Sequence, residues 1–321
     1  MAQKKILIAG AGPIASVYAD VLKALRIPFE ACSRTTASAS AFSRKHDVAC
    51  HSGGLTALCS SDLSERFSHG VVALPVEALA EGVFQLHQAG LRKLLVEKPG
   101  GLDNRQVRGL VDTIGAEASE EIHVAYNRRF YASVLTAKRL ISEDGGAVSF
   151  TFEFTELSDR VRELEGPADL LAAWEFANST HVLDTAFFLG GVPAEVTGFR
   201  QGQLDFHPAA ARYAGAGRTM DGVPFTYIAD WDAPGRWGVE INTRHRKFVL
   251  RPMEQLAVQH RNTFAIEPVA LDDEDDKRFK PGYFRQLQAF LYDDDKRNLL
   301  SLNDQASQLD FFAENIFFPS L

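Results

Sequence analysis

The residues able to do chemistry fall in a few short stretches of the chain. The first is Gly10-x-Gly12-x-x-Ala15, which follows an apolar run and opens an amphipathic one. Gly10 permits a tight turn, Gly12 lets backbone approach a pyrophosphate, and Ala15 is small enough for close helix–sheet contact. A helix N-terminus just behind it offers N–H groups and a positive dipole. The pattern reads as a dinucleotide-binding turn, with Gly10, Gly12, Pro13, Ile14 and Ala15 against the phosphates; the plain alternative is a tight turn without ligand. Next comes Cys32-Ser33-Arg34-Thr35-Thr36, where an acidic residue would take a ribose 2′-hydroxyl and an arginine would accept a 2′-phosphate. Glu30 lies two or three residues too early, so Ser33, Arg34 and Thr35 point to NADP over NAD, with NAD still possible. The plain alternative for Arg34 is a solvated loop cation.

Val96-Glu97-Lys98-Pro99 ends another apolar run. In a doubly wound sheet, ligands lie at the carboxyl ends of the strands, which aims Lys98 at the reactive end of a cofactor. Leu74, Pro75 and Glu97 lie at matching strand ends and are read as cofactor contacts. A lysine ammonium can hold a substrate hydroxyl, lower its pKa and relay its proton. Pro99 fixes the backbone there, with a cis bond as one way of doing so. Asn127 and Arg128, in Tyr126-Asn127-Arg128-Arg129-Phe130, could orient substrate or nicotinamide; either arginine reads equally as a partner for a carboxylate. In Asn178-Ser179-Thr180-His181-Val182-Leu183-Asp184, His181 and Asp184 are three apart at a helix start and so share a face. Asp184 could orient the imidazole, His181 could move a proton near neutral pH, and Ser179 or Thr180 would cap the helix. A structurally bonded histidine is the plain alternative.

These residues need a frame. Apolar runs at 5–9, 27–32, 70–74, 92–96 and 121–125 alternate with helical spacing at 14–25, 76–89 and 102–114. That rhythm predicts an α/β doubly wound parallel sheet. After about residue 125 the rhythm changes. A helix is predicted at 132–142, and Val148, Phe150, Phe152 and Phe154 alternate with Ser149, Thr151, Glu153 and Thr155, as in a half-buried antiparallel strand. Further strand-like segments lie at 194–200, 223–231, 237–243, 246–251 and 255–260. The Ala/Gly-rich stretch 207–222 and the acidic run 272–277 read as loops. The division expected is 1–124 as dinucleotide-binding domain and 125–321 as an α+β domain with a large open-faced, mostly antiparallel sheet.

The chain has 321 residues, 45% hydrophobic and 24% charged, enough for two packed domains. A net charge of −8 argues against nucleic-acid binding. Three cysteines, Cys32, Cys50 and Cys59, lack metal-ligand spacing and suit a reducing, cytoplasmic setting; no metal site is expected. No apolar stretch is long enough to span a membrane. Lys4-Lys5 before the first apolar run reads as the start of a strand, not a leader.

In order and approximate spacing, GAGPIA at 10–15, VEKPG at 96–100, YNRRF at 126–130 and HVLD at 181–184 resemble the glucose-fructose oxidoreductase / inositol dehydrogenase / MocA-type family of nicotinamide-dependent oxidoreductases. The resemblance covers nearly the whole chain. It implies a Rossmann domain followed by a domain with a large open-faced sheet, often used for homodimer or homotetramer contacts. It implies oxidation or reduction of a secondary alcohol on a sugar, polyol or nucleotide sugar, with Lys98 and His181 catalytic; the reading of the residues themselves adds Asp184 as a catalytic candidate and Asn127, Arg128 and Asn178 as contacts of the small-molecule substrate. Two positions depart from the family: an Asp four residues before the His is here Ala177, and a His after the fourth strand is here Leu79. Glu175, Asn178 or Ser179 could compensate for the first. The missing carboxylate keeps a silent NADP-binding sensor open as a reading, and the 23 phenylalanines keep open a reductase of a non-sugar carbonyl or imine.

Overall fold

The computed structural model describes residues 4–164, 168–292 and 296–318. The chain divides into two compact units, Met1–Tyr126 with Lys277–Gln308, and Asn127–Asp276 with Leu309–Leu321.

The first unit is built on a sheet of β1 (Lys5–Ala9), β2 (Phe29–Cys32), β3 (Cys50–His51), β4 (Phe67–Val72), β5 (Leu94–Glu97) and β6 (Ile122–Ala125). Their order is β6-β5-β4-β1-β2-β3, all parallel, and the short strand Leu300–Ser301 adds antiparallel to β6. Leu7, Ile8, Leu94, Leu95 and Val96 have no exposed surface, as expected of parallel strands covered on both faces. The helix Pro13–Ala24 follows β1 at once, with Gly12 as its N-cap and Pro13 in its first turn. Gly10 makes that possible. Its φ is +130°, and a Cβ there would overlap the Ala73 carbonyl oxygen at the end of β4.

The second unit carries an eight-stranded sheet of β7 (Ser149–Glu153), β8 (Pro193–Gln201), β9 (Arg212–Thr219), β10 (Pro224–Asp230), β11 (Gly238–Asn242), β12 (Arg246–Leu250), β13 (Ala257–His260) and β14 (Ile266–Pro268), in the order β14-β13-β12-β11-β7-β10-β9-β8. The rings of Phe150, Phe152, Phe225 and Tyr227 line its covered face, where Phe187 of the helix Thr180–Gly190 meets Phe150 and Phe225 at centroid distances of 5.8 and 5.1 Å. Ser149, Thr151 and Glu153 take the opposite face, as their alternation requires. Val148, expected on the covered face, precedes the strand and stays 41% exposed.

The sheet is mostly antiparallel, as expected, with one parallel pair at its centre, β7 with β10. Two expectations are corrected. Residues 207–222 are not all loop: Arg212–Thr219 is the strand β9. Its glycines carry no turn signal; a Cβ on Gly215 would run into the Tyr227 ring and one on Gly217 into the Glu195 carbonyl oxygen and the Phe225 ring, so small residues there make room for close neighbours. The acidic run 272–277 is not simply a solvated loop. It enters the short helix Glu274–Arg278, and Asp276 accepts a 2.7 Å hydrogen bond from the Ala132 N–H, satisfying a free donor at the start of the helix Ala132–Glu143.

Candidate functional site

In the first unit the turn after β1 leaves donors and open space at a helix N-terminus. The helix Pro13–Ala24 has no side-chain cap, so its first N–H groups are left for an external acceptor. A Cβ on Gly12 would meet no atom of the chain within 4 Å. The fold therefore does not need glycine at this position, whereas a closely approaching ligand does. Arg34 is exposed just past β2, and Thr35 caps the helix Thr36–His46 by accepting from the Ser38 N–H at 3.2 Å. Glu30 is otherwise engaged. It accepts from Lys5 at 2.6 Å, His51 at 2.7 Å and Arg66 at 3.0 Å. Burial pushes its carboxyl up, but the bonds from Lys5 and His51 outweigh that and hold it at about 2.

At the end of β5, Glu97 is buried and accepts from the Tyr18 hydroxyl at 2.7 Å and the Tyr283 hydroxyl at 3.2 Å. Burial raises its pKa, against the opposing pull of the Tyr18 bond. Glu97 thus ties the strand end to the helices Pro13–Ala24 and Tyr283–Tyr292. The Lys98–Pro99 bond is cis, and Gln305 donates to the Pro99 carbonyl at 2.8 Å. Lys98 is half-buried on this braced turn, while Leu74 and Pro75 follow β4. Leu79, at the position of the family histidine, is fully buried.

In the second unit the organising contact is Arg129 with Asp184. Arg129 donates from Nε and Nη2 to both carboxylate oxygens, at 2.6 to 3.1 Å, and Asp184 has no exposed surface. Of the two arginines, Arg129 is the one committed to a carboxylate. Its neighbour Arg128 instead stacks on Trp237, 4.8 Å from the ring centroid. His181, 5% exposed, lies 6.2 Å from the same indole. Asn178 donates to both oxygens of Glu156 at 3.0 and 3.2 Å, and the Ser179 hydroxyl donates to Glu156 at 2.7 Å. Asn127 is buried in the turn Asn127–Phe130.

The predicted cap is absent, for a clear reason. The helix Thr180–Gly190 does not begin from a loop; a π-helical turn, Glu175–Ser179, runs straight into it. Ser179 is therefore free to bond Glu156, and Thr180 donates to the Phe176 carbonyl at 2.7 Å. Such turns widen a helix locally and recur at functional sites. Ala177, where the resemblance leads one to expect an aspartate, is buried within it.

The structure thus groups Arg128, Asn178, His181 and Asp184 in one unit and Gly10, Gly12, Arg34 and Lys98 in the other. Sequence reading missed Trp237, Trp174, Arg236 and Glu156. Glu156 was legible as the end of the alternating run; the two tryptophans carry no spacing signal.

No protein-family model matches the sequence, and no curated protein matches it. Among solved structures the chain is similar to levoglucosan dehydrogenase in complex with NADH (16% identity, 99% of this chain and 100% of that one, TM-score 0.74). It is similar to an NAD-binding oxidoreductase from Klebsiella pneumoniae (17% identity, 97% and 96%, TM-score 0.74). A third is UDP-N-acetylglucosamine 3-dehydrogenase from Acidithiobacillus ferrooxidans (15% identity, 97% and 95%, TM-score 0.70). At these identities the likeness is one of fold, and it extends over nearly the whole chain.

The two glycines separate folding from binding. Gly10→Ala should cost about 2–5 kcal/mol in urea unfolding, from overlap and a left-handed φ together. Gly12→Ala should stay within about 1 kcal/mol of the parent yet weaken NADPH binding at least about tenfold by fluorescence titration. Equal effects of the two on stability would contradict the assignment. Glu175 gives a second test. It is 2% exposed, its Oε2 has no hydrogen-bond partner among the described residues, and burial raises its carboxyl from 4.5 to about 7. Its neutral form is favoured by folding, so its contribution is fully present below pH 4.5 and lost as pH rises through about 7. At about 1.4 kcal/mol per pKa unit, this is about 3 kcal/mol less stability at pH 8 than at pH 4.5. In Glu175→Gln this component of the pH dependence should vanish from urea midpoints.

Proposed function

We propose that this protein is an oxidoreductase of the glucose-fructose oxidoreductase / inositol dehydrogenase / MocA type, acting on a secondary alcohol or ketone of a sugar-like, polyol or nucleotide-sugar substrate. The observation that carries the reading is the open space beside Gly12 at an uncapped helix N-terminus, on a fold shared along nearly its full length with NAD-binding dehydrogenases. The first unit is the dinucleotide-binding half, and the second the substrate half. Gly10, Gly12, Pro13, Ile14 and Ala15 hold the pyrophosphate, while Leu74, Pro75 and Glu97 form the strand ends beside it. A bound nicotinamide supplies hydride exchange at C4; the chain's own residues bind, orient and move protons.

Lys98 binds the reacting hydroxyl and favours its deprotonation. His181 takes or returns the proton. Asp184 acts through Arg129, as a positioning residue for the helix that carries His181. Asn127, Arg128 and Asn178 surround the substrate. NADP is the preferred cofactor: one neighbour is in complex with NADH and another is NAD-binding, but here the one acidic residue of β2, Glu30, is committed to three cations, and exposed Arg34 just past that strand supports a contact with a 2′-phosphate. The open face of the eight-stranded sheet, with Phe199 65% and Ile228 55% exposed, suits a homodimer or homotetramer contact. Among the described residues no helix is long and apolar enough to cross a membrane, and all three cysteines are free, which suits a cytoplasmic protein.

The test is steady-state kinetics on a panel of sugars, polyols and nucleotide sugars with NADP and NAD. The expected outcome is turnover with a lower KM for NADP, a near-complete loss in Lys98→Met with dinucleotide binding retained, and a fall of about 10²–10⁴ with an altered pH profile in His181→Ala. Dinucleotide binding without turnover on any substrate would favour the sensor reading; full activity in Lys98→Met would overturn the role given to that lysine.

A further inference from the structure

Two cavities of the second unit share Arg236 and Trp237. The smaller, about 190 Å³, is completed by Arg128, Pro252, Met253 and Glu254. The larger, about 370 Å³, extends over Glu156, Arg160, Trp174 and Asn178. Several arginines of this unit are matched to carboxylates: Arg129 to Asp184, Arg246 to Asp144, Arg251 to Glu153 and Arg162 to Asp205. The two at Trp237 are not. Among the described residues neither Arg128 nor Arg236 forms an ion pair within 4.0 Å, and the Arg128 Nε is buried without a hydrogen-bond partner. The acids at hand do not fill the gap. Glu156 is occupied by Asn178 and Ser179, and Glu254 is exposed on the cavity rim without an ion pair.

A guanidinium stacked on an indole keeps its N–H edge free and fixed in direction, which suits a planar or tetrahedral oxyanion. We propose that the smaller cavity is an anion subsite, in which Arg128 and Arg236 hold a carboxylate or phosphate of the substrate while the rest of the molecule crosses Trp237 toward His181. The ligand class is a sugar acid or sugar phosphate, not a neutral polyol. The cavity's volume agrees. About 190 Å³ is room for one oxyanion and its attached carbon, and the shared Arg236 and Trp237 continue it into the larger cavity. The proposal rests on the substrate half being where the previous section puts it, and narrows the substrates it takes.

The experiment is a tryptophan-fluorescence titration of the full chain with gluconate, glucose 6-phosphate and, as neutral counterparts, sorbitol and glucose, at low and raised salt. In the parent protein at least one anion should bind about tenfold or more tighter than its neutral counterpart, as one charge-assisted contact would give. Raised salt should shrink the difference. Gluconate ahead of the phosphate marks a carboxylate ligand, the reverse a phosphate ligand. In Arg236→Ala, whose side chain is exposed and whose thermal stability should match the parent, the anion-to-neutral ratio should fall to about one; Arg128→Met should do the same. Equal binding of anion and neutral compound, a ratio that survives in Arg236→Ala, or no binding of either anion would overturn the subsite. Anion preference without turnover would instead sink the enzyme reading and leave the subsite standing. Turnover on neutral polyols without anion preference would do the opposite.

Discussion

The second unit depends on one buried ion pair. Arg129 grips Asp184 through two nitrogens, with the carboxylate fully out of solvent. Such a pair adds little net stability over well-packed apolar residues, yet removing one partner strands a charge and costs about 3–5 kcal/mol. Its value here is geometric. Arg129 is the neighbour of Arg128 in the turn Asn127–Phe130, and Asp184 sits one helical turn beyond His181. Joining them holds the turn against the helix and brings a guanidinium and an imidazole to the same indole, Trp237.

The first unit uses the same economy with other means. Gly10 is demanded by the fold, because the Ala73 carbonyl leaves no room for a side chain; Gly12 is not, because the space beside it is open. Glu97 is spent on Tyr18 and Tyr283, so the strand end that carries Lys98 is held by hydroxyl bonds and by Gln305 beneath Pro99. Polar groups at both places hold the backbone and helices around them in position.

Much of this was legible from residue spacing. The strand–glycine turn–helix at the start needs only local pattern, and so does the alternation of Phe150, Phe152 and Phe154. What stayed hidden depends on distant partners. The parallel pairing of β7 with β10 joins segments about 75 residues apart, as in the bond between Thr151 and Thr226. β9 looked like a loop because its glycines answer to rings on β10. Residues 300–301 rejoin the first sheet through a strand too short for periodicity. At the site, His181 and Arg128 stood out by type, whereas Trp237 has meaning only through what the fold brings beside it. The cap expected at Ser179 failed because a π-helical turn took the place of a loop, which no local propensity announces.

The claim that matters most is that the Arg129–Asp184 pair exists to align rather than to stabilise. A double-mutant cycle tests it directly, with Arg129→Met and Asp184→Leu made singly and together, each scored for urea stability and for turnover. The account predicts that each single variant is strongly destabilised, and that the double variant recovers most of the stability but little of the turnover. A double variant that regains turnover along with stability would contradict it.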